Sequence, residues 1–149
     1  MAAARSLPIV DAGGAPRVHP GDGAAPGAPR PDLCEEDLPA LLTEFYDRVG
    51  RDPALAPYFA ALDMGAHIPR IADFWATILF HAGRYRGNAF APHLEMPGLA
   101  PEYFARWLAT FEATVDARHA GPAADQAKDA AHRIAYSMQL RLGLTPFAL

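Results

Sequence analysis

The chain has one cysteine, Cys34, among 149 residues, so no intramolecular disulfide can staple the fold. A lone thiol suits a reducing cytoplasm. Its neighbours Glu35 and Glu36 disfavour the thiolate, which argues for an inert side chain. No stretch approaches the roughly 20 consecutive apolar residues of a membrane span. The opening residues MAAARSLPIV also lack the apolar run of a secretory signal, so a cytoplasmic protein without a membrane role is expected. The thirteen basic residues are scattered and the formal charge is -4, which removes the cationic patch that nucleic acid requires. No HxxxH, ExxH or CxxC spacing supports a zinc or di-iron centre. No segment alternates apolar and polar residues with a period of two, so strands are absent, and with them the strand–loop–helix cradle for phosphates.

What is present is proline and glycine at one end and helical periodicity everywhere else. Residues 1–31 hold six Pro and five Gly with no apolar repeat. Such a stretch cannot bury enough surface to offset its ordering entropy, and it is expected to be a disordered tail preceding a single domain over 32–149. From residue 32 onward apolar residues recur at steps of three and four. Leu38, Leu42, Phe45 and Val49 form one stripe, with Tyr46 at its edge. A helix from about Ala66 to His81 carries His67, Ile71, Phe74 and Ile78 on one face, bordered by Trp75. GRYRGNAFAP (83–92) is broken by two glycines and a proline and leads irregularly to His93. A third long helix opens at Glu102 with Phe104, Trp107, Leu108, Phe111 and Val115. A fourth, about Ala123 to Arg141, buries Ala127, Ala130, Ile134 and Met138. The fold class is all-α, with four main helices.

His67 and His93 stand on separate elements with aromatic side chains around them. One imidazole on each of two elements, between aromatic walls, is what a helical protein needs to hold a flat iron cofactor. Each histidine taken alone reads more simply as a solvated side chain, and Tyr46 and Trp107 taken alone as amphipathic core aromatics. Three polar-tipped side chains bordering apolar stripes on three helices favour a shared cavity. His81 and His119 lie toward helix C-termini, where a cation is mildly favoured. His132 falls on an exposed flank, and His19 lies in the tail.

Four blocks in order, EFYDRVGRDPALAPYF (44–59), AHIPRIADFWATIL (66–79), YRGNAFAPHLEMPGL (85–99) and PEYFARWLATFE (101–112), make residues 38–142 resemble a group III truncated haemoglobin. The resemblance implies a truncated globin: a two-on-two α-helical sandwich around haem b (iron protoporphyrin IX). It makes His93 the proximal iron ligand and Tyr46, His67 and Trp107 the polar distal residues. Phe45, Ile71, Phe74 and Trp75 become apolar walls, and Arg84, Tyr85 and Arg86 become neighbours of the haem propionates. Two positions depart from the family pattern: Pro69 lies just inside the helix that carries His67, and Met64 stands where the family often has Trp. Proline is tolerated in a first turn, so that helix is expected to start near His67.

The expected function is reversible binding of diatomic gases (O2, CO, NO) at a six-coordinate-capable iron, with sequestration or redox chemistry favoured over bulk transport. An NO dioxygenase or peroxidase-like enzyme drawing on an external reductase is the alternative. A non-haem helical interaction module, with incidental histidines, is the third reading.

Overall fold

A computed structural model describes residues 30–144 apart from Phe90 and Pro97. The expectation of a tail falls on residues 1–31 and therefore lies almost wholly outside the described residues. Five α-helices are present: α1 (Leu38–Val49), α2 (Ala56–Phe59), α3 (Met64–Phe80), α4 (Pro101–Arg118) and α5 (Pro122–Arg141). Short 3-10 turns precede α1 at Glu35–Asp37 and carry His93 at Ala91–Glu95. No strand occurs among the described residues. Helix α1 packs on α3 and on α4, and α4 packs on α5, so one helix pair lies over another.

The boundaries follow local chemistry. Pro101 and Pro122 open α4 and α5 at positions where a missing N–H costs nothing. Helix α3 starts at Met64, three residues ahead of the place that a first-turn Pro69 suggests. The reason is Asp63: its carboxylate accepts the Gly65 amide at 3.0 Å, and its carbonyl accepts the His67 amide at 2.8 Å. Pro69 thus falls inside the helix and removes the donor that the Gly65 carbonyl would otherwise receive. At the other end His81 closes α3 in the left-handed region at φ 58°, the one described non-glycine residue with positive φ.

Helix α5 takes its cap from a segment 91 residues away. Asp32 accepts the Ala123 amide at 3.0 Å and the Ala124 amide at 2.9 Å. This approach needs Gly121, whose φ is 144° and where a Cβ would stand 2.5 Å from the Asp32 Cγ. The Ala120 amide donates to the Pro31 carbonyl and strengthens the same clasp.

The core sits between α1, α4 and α5. Phe45, Leu38, Leu41, Leu42, Val49, Phe111 and Val115 are buried almost completely. Phe111 stacks on Trp75 at 4.9 Å between centroids and meets the edge of Phe45 at 5.3 Å. Helix α5 presents five alanines there (Ala124, Ala127, Ala130, Ala131 and Ala135) and the buried Gln139, and the alanines let it lie close against its neighbour.

His119, at the C-terminal end of α4 as expected, is buried at 5% exposure with neither ring nitrogen hydrogen-bonded. His132 differs from expectation: it is half-buried, its Nε2 2.8 Å from Glu112. Cys34 is exposed, and the hydrogen bond to Asp37, ahead of Glu36, pushes its thiol up to about 11. The thiolate is disfavoured as expected, with Asp37 as the leading cause.

Candidate functional site: a histidine-lined cavity between α3 and α4

The stripe on α3 is the first sign of a site. Ala72, Trp75 and Ala76 form its buried face, whereas His67, Ile71, Phe74 and Ile78 are only half-buried. An apolar stripe left half-covered by its own fold faces either solvent or a void. Here His67, Ile71 and Phe74 face a void of about 310 Å3.

Each wall comes from a different element: Tyr46 from α1, His67 and Ile71 from α3, His93 from the 3-10 turn, Trp107 from α4 and Met138 from α5. Of the eleven site residues expected from sequence, eight line this cavity: Tyr46, His67, Ile71, Phe74, Trp75, Tyr85, His93 and Trp107. Phe45 does not; it sits one layer behind, edge-on to Tyr46 at 4.9 Å and to Trp107 at 5.8 Å. Its role is to fix those two rings. Arg84 is also elsewhere, ion-paired with Glu35 and with Asp73. The Arg86 guanidinium donates to the Gly83 and Tyr85 carbonyls. Tyr85 reaches the cavity because its ring folds back over Gly87, where a Cβ would meet the hydroxyl at 2.4 Å, and packs edge-on to Phe74 at 5.2 Å.

Sequence reasoning missed Arg70, the cation in the cavity wall. The signal was available, since Arg70 follows His67 by three residues and shares its helical face.

The electrostatics separate two sets of polar groups. His67 Nε2 is buried without a hydrogen-bond partner, and the ring lies 4.9 Å from that of Tyr46, edge to face. Burial, and secondly the Arg70 charge, lower the His67 pKa and favour neutral imidazole. Burial alone raises the Tyr46 phenol far above its ordinary value, so it remains an O–H donor. On the 3-10 turn, His93 Nδ1 lies 3.0 Å from the Ala89 carbonyl. A carbonyl only accepts, so Nδ1 carries the proton and the lone pair resides on Nε2. That tautomer is the one a metal-ligating imidazole needs. Among the described residues no cluster of three His, Cys, Asp or Glu could cage a metal ion by itself.

A sandwich of two helices over two, enclosing an apolar cavity with a tautomer-fixed histidine, defines a truncated globin. Comparison with known proteins gives the group. The chain is 31% identical over 90 residues to group 3 truncated hemoglobin ctb of Campylobacter jejuni, across 56% of this chain and 71% of that protein. The crystal structure of the group III truncated hemoglobin from Campylobacter jejuni superposes with a TM-score of 0.69 at 27% identity, covering 77% of this chain and 95% of that one. No family model matches. The chain belongs to the group 3 truncated haemoglobins.

Membership implies a haem cofactor, and the cavity fits one. It is walled by aromatic and aliphatic side chains, it contains an imidazole whose Nδ1 is held by a backbone carbonyl, and it holds a buried imidazole nitrogen with no partner in the protein. Among the described residues no helix is long and apolar enough to cross a membrane.

Proposed function

We propose that the chain holds haem b in this cavity, with His93 as the iron ligand, and uses it to retain diatomic gases rather than to carry O2 in bulk. The observation that carries the reading is the buried, partnerless His67 Nε2 beside Tyr46. When bound, haem would supply an iron able to take a diatomic gas, with His93 as the residue that would hold it. The remaining chemistry belongs to this chain. His93, held through Nδ1 by the Ala89 carbonyl, offers Nε2 in a fixed orientation. Tyr46 and the Trp107 indole are donors at neutral pH, and neutral His67 has one N–H to give. Arg70, which lines the cavity, supplies positive charge toward the carboxylates of a porphyrin.

Each donor to a polarised gas contributes about 1–3 kcal/mol in a dry pocket. Two such donors slow release by roughly two to four orders of magnitude, since 1.4 kcal/mol is tenfold. Slow release suits sequestration or redox use of O2 and NO. A second reading, an NO dioxygenase or peroxidase-like enzyme fed by an external reductase, draws on the neutral His67, whose ring could hold or move a proton at the cavity wall. The reading includes cytoplasmic residence, which the single, unactivated thiol supports. The test is O2 dissociation from reduced protein together with NO consumption when an electron donor is supplied. Slow release without multiple turnover supports retention, and sustained turnover supports the enzyme. Rapid O2 loss would sink the retention reading.

A further inference from the structure

Gly87 is a glycine that its own backbone does not require. Its φ lies outside the left-handed region, unlike those of Gly83 and Gly98 on either side of it. What requires it is the side chain of Tyr85. A Cβ at position 87 would stand 2.6 Å from the Tyr85 Cζ, and closer still to the hydroxyl oxygen. The phenol ring therefore occupies the space that any other residue at 87 would fill.

That ring stands at a boundary. Tyr85 lines the histidine-lined cavity and also a groove between α3, α5 and residues 87–89. The groove reaches the surface, since Gly87, Asn88 and Ser137 along it are exposed. Of the side chains common to both spaces, Phe74, Ile134 and Met138 are carried by helices, and Asn88 and Ala89 are small. Tyr85 is the large one on a segment without helix. Its backbone is pinned, because its amide donates to Thr77 Oγ1 on α3 at 3.2 Å. Its ring is held only by the edge contact with Phe74 and by the room over Gly87. A ring on a fixed backbone turns about its side-chain torsions, and this part of the wall turns with it.

We propose that the Tyr85 ring is the latch of the haem cavity. Seated over Gly87 and against Phe74, it closes the cavity toward the groove, and haem escapes when it turns out. The guest in this proposal rests on the haem reading, whereas the seat of the ring does not.

The test is the rate of hemin transfer from the loaded full chain to excess apomyoglobin, with urea unfolding of the haem-free chain in parallel. Tyr85→Ala should speed hemin loss about tenfold or more at an unchanged unfolding midpoint. Gly87→Ala should do the same by unseating the ring, since its own backbone accepts alanine. The two substitutions together should lose hemin no faster than Tyr85→Ala alone, because a methyl at 87 acts only through the ring. Tyr85→Phe keeps the ring and should stay within about twofold of the parent. Unchanged loss in Tyr85→Ala or in Gly87→Ala overturns the latch, as does an additive double variant. Loss from Tyr85→Phe as fast as from Tyr85→Ala overturns it as well, because the hydroxyl and not the ring would then hold the guest. A midpoint that falls in step with hemin loss reduces Tyr85 to ordinary packing and overturns it too. A chain that takes up no hemin refutes the haem reading instead. The seat is then judged by proton NMR of the haem-free chain, where Gly87→Ala must abolish the ring contact between Tyr85 and Phe74, and a contact that is absent or unmoved overturns it.

Discussion

The two sides of Trp75 are built on opposite terms. One side stacks on Phe111 within a layer where Phe45, Leu41, Leu42 and Val115 are at most 1% exposed. The other side faces a cavity whose walls, Ile71, Phe74 and Trp107, are only half-buried and whose polar atoms include an unpartnered imidazole nitrogen. A packed core gains by leaving no void and no orphaned polar group. The cavity side forgoes both gains. The protein alone is close-packed on one side of that indole and hollow on the other, which is the pattern of a fold that finishes around a guest.

This contrast can be broken by substitution. The largest effect belongs to the packed side: Phe111→Ala should cost roughly 3–5 kcal/mol of unfolding free energy, read by chemical denaturation. Ile71→Ala on the cavity side should cost about 1 kcal/mol or less in haem-free protein, because little apolar area leaves contact. Equal losses would mean that the two sides are packed alike. Next in size are the donors. Tyr46→Phe and Trp107→Phe should each speed O2 loss about tenfold to a hundredfold in stopped-flow mixing, and unchanged rates in both would remove them from the distal set.

A smaller effect is pH dependence. His67 has a folded-state pKa below its ordinary 6.5, so between those values the unfolded chain binds more protons. Stability should fall as pH drops below about 6.5 and level off beneath the folded value. His67→Leu should flatten that slope, whereas a slope that stays the same points to another group. Of similar size to Ile71→Ala is Asp32→Ala, which removes the cap of α5 at a cost of about 1 kcal/mol and leaves ligand kinetics unchanged.

Much of this was legible in the sequence because apolar periodicity reports helices directly. The Leu38–Val49 stripe, the Phe104–Val115 stripe and the alanine face of α5 all lie where three- and four-residue spacing put them. His67, Phe74 and Trp107 were legible for the same reason, since a helical face carries its residues to one place. What periodicity cannot report is which partner a charged side chain takes across the fold. Arg84 is drawn away by Glu35, 49 residues distant, and the cap on α5 arrives from Asp32. Pro69 points to a later start for α3, and the cap from Asp63 sets it at Met64 instead. Phe45 was assigned to the wall because a stripe gives direction and not depth.

The central claim is that these helices close around an iron porphyrin held through His93. Titration of the purified chain with hemin, followed by reduction under CO, tests it most directly. The account predicts a one-to-one complex with a sharp Soret band and a carbonyl spectrum, both lost in His93→Ala. A chain that stays colourless, or a His93→Ala variant with unaltered axial ligation, would contradict it.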